Sequence, residues 1–268
     1  EAAKLDIMKT AHSRYLEEIE VKMKKLINSL ASLALALGAT LAVADNHSAP
    51  SSPVGMVYGM NVSDPQAFAS AMGKYWSSPT GKKIPGVAIL RQVVAAGESP
   101  ISHMVSVLHP SYEAMDAAFA INATSDDWAT LLAELNGVSE LISSSMFEGT
   151  GLGSTANQIG AGPGVANLYV LMSVSNPAKY AAAWQKMITS TDLGETDTVL
   201  ISMSAGGVES TTHVATVSGE SVGAVMTQMN ANRSEQTFQT FLQEVGEIRT
   251  IEQNIVTVDM AVFGNTGD

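Results

Sequence analysis

The chain repeats itself. Val62-Ser63-Asp64-Pro65 returns as Val174-Ser175-Asn176-Pro177, each time after an apolar run and before a helical pattern. His103 returns as His213, and at that same offset of 110 residues Ser111 matches Ser221, Ala114 matches Ala224 and Asn122 matches Asn232. Trp128 then meets Phe238, Leu132 meets Leu242 and Glu134 meets Glu244. One spacing held across a whole helical region marks a duplicated structural unit, which must bury its apolar faces alone or against its copy. We read the repeats as 54–149 and 166–264, with 45–53 as a linker leading in. The connector, 150–165, is rich in Gly, Ser and Asn, the composition of a linker.

Each repeat follows one order. A first strand (56–62; 168–174) runs into Ser-Asp-Pro or Ser-Asn-Pro, where Asp64 or Asn176 caps a helix and Pro65 or Pro177 takes its first position. The helix carries Phe68, Met72 and Trp76, or Tyr180, Trp184 and Met187, at helical spacing. Two strands follow (87–94 and 103–108; 199–203 and 213–217), joined by turns at Gly97 and at Gly206-Gly207. One long helical region (111–135; 221–245) precedes a closing strand (141–147; 255–263). The order is βαββαβ, a split βαβ or ferredoxin-like unit.

Helices can cover one face of such a sheet, yet the first strands are apolar on both. Met56, Tyr58, Met60 and Val62 share one face, while Val57 and Gly59 share the other; in the second repeat Leu168, Val170 and Met172 oppose Tyr169 and Leu171. Strands apolar on both faces are buried on both. We therefore expect an α+β fold in which the two tandem repeats pack sheet to sheet, closing a barrel with helices outside. In element order and duplication, residues 54–264 resemble the dimeric α+β barrel superfamily, with one chain supplying both halves of a pseudo-dimeric barrel. Its members include cofactor-independent monooxygenases of the antibiotic-biosynthesis type, isomerases, haem-binding enzymes and stress-response proteins. The resemblance implies a pocket for a small hydrophobic or aromatic molecule, either between sheet and helices or inside the barrel.

Composition narrows the classes. With 14 Lys+Arg against 26 Asp+Glu the formal charge is −12, and the basic footprint that nucleic acid requires is missing. The absence of cysteine removes disulfides, thiolate metal sites and thiol nucleophiles. Met23-Lys24-Lys25, an apolar run to Leu41 and Ala42-Val43-Ala44 have the parts of a cleavable bacterial signal peptide. We expect 23–44 to be removed near Ala44, leaving a periplasmic or secreted acidic product with no membrane anchor. We expect residues 1–22, upstream of it, to be either mis-called sequence or an amphipathic extension.

Few groups offer chemistry. His103 and His213 place one imidazole in each repeat, either as a base titrating near neutral pH or as a strand-start histidine bonded to its neighbours. His109 lies three periods of the pleat further on, on the same strand face, or reads as a surface turn residue before Pro110. Arg91, alone among apolar neighbours, is suited to hold an anionic group bidentately, or else reaches solvent from a strand edge. Asn61, Tyr58 and Trp76 read either as further lining of that pocket or, for the aromatics, as core. The methionines are scattered and no His-x-His or carboxylate triad occurs, so we expect no metal and no cofactor. The favoured expectation is an exported small-molecule-binding or stress-associated protein, as monomer or homodimer. The alternative is a monooxygenase-like or isomerase-like enzyme in which Asn61, Arg91 and His103 converge on one cavity.

Overall fold

A computed structural model describes residues 53–206 and 210–264. The expected signal peptide, the extension before it, most of the leading linker and Gly207 of the second hairpin lie outside the described residues. The first half comprises β1 (Val54–Val62), α1 (Pro65–Ser77), β2 (Val87–Ala95), β3 (His103–His109), α2 (Tyr112–Ala123), α3 (Asp126–Asn136) and β4 (Ser139–Ser154). The second comprises β5 (Ala166–Val174), α4 (Pro177–Ser190), β6 (Asp197–Gly206), β7 (His213–Gly219), α5 (Val222–Ser234), α6 (Gln236–Val245) and β8 (Arg249–Gly264). Among the described residues no helix is long and apolar enough to cross a membrane.

The eight strands form one closed antiparallel barrel in the order β1-β3-β2-β8-β5-β7-β6-β4. Closure depends on β4 and β8, each 16 residues long. The first part of β4 pairs with β1 of its own half, and its end pairs with β6 of the other. In the same way β8 pairs first with β5 and then with β2. Two mixed seams, β2–β8 and β4–β6, therefore stand on opposite sides of the ring.

Local chemistry starts the helices where the sequence places them. The Asp64 carboxylate accepts from the Ala67 N–H at 2.9 Å and the Asn176 amide oxygen from the Lys179 N–H at 3.1 Å. The long helical region expected at 111–135 is instead two helices. Ser125 leaves helical geometry and caps α3 by accepting from the Trp128 N–H at 3.2 Å. A matching break separates α5 from α6. The connector also differs from expectation, because residues 150–154 are not linker but the end of β4, which pairs with β6. Glycine is there for closeness: a Cβ on Gly153 would stand 2.8 Å from a Val199 methyl.

Each half has a core between sheet and helices. Phe68, Met72, Tyr75 and Trp76 of α1 pack with Leu90, Val105 and Leu131; Tyr180, Trp184 and Met187 of α4 pack with Leu200, Ala215 and Phe241. The inner sheet face encloses a separate apolar cluster around Met104, Ile255 and Tyr169.

Candidate functional site

Alternation along the strands decides which residues face the barrel interior. All eight strands contribute inward side chains to a cavity of about 600 Å³, a size in the range of small-molecule sites. Its wall is mostly apolar, with Val57, Ile89, Met104, Leu171, Val214 and Ile255 among the lining. The connector helps to line it through Thr155, Ile159, Gly160 and Ala161. That segment is fastened by carboxylates: Asp197 accepts from the Asn157 and Ile159 N–H groups at 3.0 and 2.7 Å, and Asp259 accepts from the Gly162 N–H at 3.2 Å.

One part of the wall is polar. Arg91 on β2 stands in register with Asp259 on β8, and its Nε donates to Asp259 Oδ1 at 2.8 Å. Its Nη1 donates to Ser106 Oγ at 2.6 Å. Asn167 donates through Nδ2 to the same carboxylate oxygen at 3.0 Å, and its own amide oxygen accepts from Ser218 at 2.7 Å. The Arg91 guanidinium lies 5.9 Å from the centre of the Tyr169 ring. Both charged partners are buried, Arg91 at 6% and Asp259 at 2% exposure. Burial raises the Asp259 carboxyl above its ordinary range, opposed by Arg91 and the donors from Gly162 and Asn167. Burial likewise raises the Tyr169 phenol, which sits beside the Thr257 hydroxyl.

Of the residues the sequence singled out, Arg91 reaches this cavity, and its role is corrected. It does not wait with an open fork for an anion, because Asp259 already matches its charge. His103 and Arg91 do not converge. Arg91 pairs in register with Met104, so His103, one residue back, projects through the opposite face toward the helices. His103 Nδ1 lies 3.0 Å from Ser102 Oγ, and His213 Nδ1 lies 2.9 Å from Thr212 Oγ1. Those hydroxyls accept from the Val62 and Val174 N–H groups, so each His-hydroxyl pair ties the end of one strand to its neighbour. Desolvation lowers both imidazoles below their ordinary value, which favours the neutral ring.

The other candidates also leave the cavity. His109 is buried rather than in a surface turn, and its Nδ1 meets the Pro85 carbonyl at 2.8 Å. Tyr58 and Trp76 belong to the helix-side core, and Asn61 is exposed at the end of β1. Asn61, Arg91 and His103 thus do not form one site, because the sheet separates Arg91 from His103 and Asn61 faces solvent. Sequence reasoning missed Asp259, Asn167 and Tyr169. Asp259 carried a signal, as the one acid of the closing-strand run 255–263, on the same face as Ile255 and Thr257. Among the described residues no group of three or more His, Asp or Glu side chains comes together as metal ligands.

No family model and no curated protein matches the chain. Solved structures do. A proposed monooxygenase from Fusobacterium nucleatum superposes with a TM-score of 0.57 at 12% identity, covering 81% of this chain and 96% of its own. An anthrone oxidase-like protein gives 0.55 at 12% identity, covering 79% and 92%. A proposed monooxygenase from Lactobacillus acidophilus gives 0.51 at 8% identity, covering 79% and 96%. Identities this low speak for the fold, and the fold is the one the strand order describes: the chain folds like a dimeric α+β barrel, with both halves in a single polypeptide.

Proposed function

We propose that the protein binds a small, mainly apolar molecule inside its barrel. The observation that carries this reading is an interior cavity of about 600 Å³, apolar over most of its wall and polar at the β2–β8 seam. A core built for stability alone would fill that space with side chains. Organic extraction of protein purified from its native source, followed by mass spectrometry, tests it. The expected result is one class of apolar molecule retained at about one per chain, and displaced in Ile201→Trp, which fills the cavity. Protein that carries nothing, and whose melting temperature is unmoved by a panel of aromatic and lipid-like compounds, overturns the reading.

Oxygenase-like chemistry on the bound molecule is a second reading, in line with the names of the structural neighbours. It is favoured by the place of Asp259, a carboxylate in the cavity wall whose proton affinity burial raises and Arg91, Gly162 and Asn167 lower. Oxygen uptake by the loaded protein, lost in Asp259→Asn with binding retained, supports it; no uptake leaves a binding protein. We also propose export as an acidic periplasmic or secreted product. The mature protein then begins at Asp45, and a different first residue in intact-mass measurement sinks that proposal.

A further inference from the structure

Building on the cavity reading above, we propose that the barrel selects a neutral ligand, apolar in body with a carbonyl or hydroxyl oxygen at one end, and discriminates against carboxylates. Charge decides the point. Arg91 and Asp259 are the charged residues of the lining among the described residues, and they are spent on each other at 2.8 Å. Asp259 is further bonded by Asn167 and by the Gly162 N–H, so the pair is a closed, neutral unit. An incoming carboxylate would bring an unmatched negative charge into an apolar chamber beside Asp259, and burying an unpaired charge is strongly unfavourable.

A neutral oxygen asks only for a donor. Arg91 uses Nε and Nη1 on the protein, and among the described residues no acceptor bonds its Nη2, while the side chain lines the cavity. Tyr169 lies beneath the guanidinium and also lines the cavity. Its raised phenol keeps its proton, so it remains a donor. The duplication then fixes orientation. At the β4–β6 seam the positions equivalent to Arg91 and Asp259 are Ile201 and Gly149, paired in the same register. Tyr169 corresponds to Val57 and Asn167 to Gly55, by the alignment that sets Ala166–Gly219 on Val54–His109. Ser143 and Ser145 give that side hydroxyls but no charge. The oxygen-bearing end therefore lies at β2–β8 and the apolar end points away from it.

Three probes sharing a naphthalene body separate the possibilities: 2-acetylnaphthalene, 2-naphthoate and naphthalene, each displacing N-phenyl-1-naphthylamine from the full chain at pH 7.5. The ketone should bind at least about tenfold more tightly than the carboxylate, the scale of one hydrogen bond gained set against one charge stranded. Asp259→Asn should shift the ratio of ketone to carboxylate affinity about tenfold toward the carboxylate, because it leaves the guanidinium unmatched. If that variant does not fold, the ratio on the unaltered protein decides alone. Naphthoate binding as tightly as the ketone overturns the selectivity while leaving the cavity reading in place. Failure of all three probes, naphthalene included, overturns the cavity reading and the selectivity with it.

Discussion

At the β2–β8 seam Arg91 meets Asp259; at the β4–β6 seam the equivalent pair is Ile201 and Gly149. Both seams shift register beside that pair, between Leu90 and Arg91 and between Gly149 and Gly153, and at the second the Thr150 hydroxyl donates to the Leu200 carbonyl at 2.7 Å. Elsewhere the halves agree closely. The His-hydroxyl clamps occur in both, and Lys74–Glu134 at 3.0 Å is matched by Lys186–Glu244 at 2.8 Å. The duplication thus works as an internal control. Features present twice hold the framework, and the buried polar cluster, present once, is the part that a framework does not need.

The largest test of that contrast is Asp259→Ala. It strands a buried guanidinium and should cost about 3–5 kcal/mol, read from the urea midpoint. Arg91→Ile with Asp259→Gly copies the other seam and should cost less than the single change. A double variant as unstable as the two singles added together would break the comparison. Next in size is Gly55→Asn, which tries to write Asn167 into the first half. A Cβ there would stand 2.7 Å from the Phe147 ring, so the swap should destabilise by about 1–3 kcal/mol, measured by thermal unfolding.

Smaller effects sharpen the contrast at the helices. Ser125 caps α3, while its counterpart Glu235 makes no side-chain bond to α6. Ser125→Ala should cost about 1 kcal/mol, and Glu235→Ser should recover a similar or smaller amount. Equal losses at both sites would show that the halves are capped alike after all. Finally, burial depresses the folded-state value of both His103 and His213 below 6.5. A depressed imidazole favours the neutral folded form, so its contribution is complete above 6.5 and is lost as pH falls below that value. His103→Gln and His213→Gln should flatten the acid side of the melting-temperature profile to the same modest extent. Unequal flattening would assign the two clamps different work.

Much of the fold was legible because duplication, capping and alternation are written in short-range chemistry. Asp64-Pro65 and Asn176-Pro177 announce their helices, and strands apolar on both faces announce burial on both. What the pattern conceals is which apolar face points inward. On β3 His103, Val105 and Val107 alternate with Met104, Ser106 and Leu108, so period 2 groups His103 with His109 but does not say which group the barrel encloses. The reach of β4 was hidden for another reason. Gly149, Gly151 and Gly153 read as turn composition, whereas a backbone pressed against the neighbouring strand also requires glycine. Arg91 was visible as a solitary cation, but its partner lies 168 residues away, a separation that no local rule spans.

The shared strands β4 and β8 have a consequence for dilution. A barrel assembled from two separate polypeptides dissociates once its concentration falls below the constant that governs the pair. Here a short connector holds each half near the other at an effective concentration in the millimolar range, whatever the surroundings. The barrel cavity is then a property of the single molecule, and it persists in the most dilute compartment the protein enters.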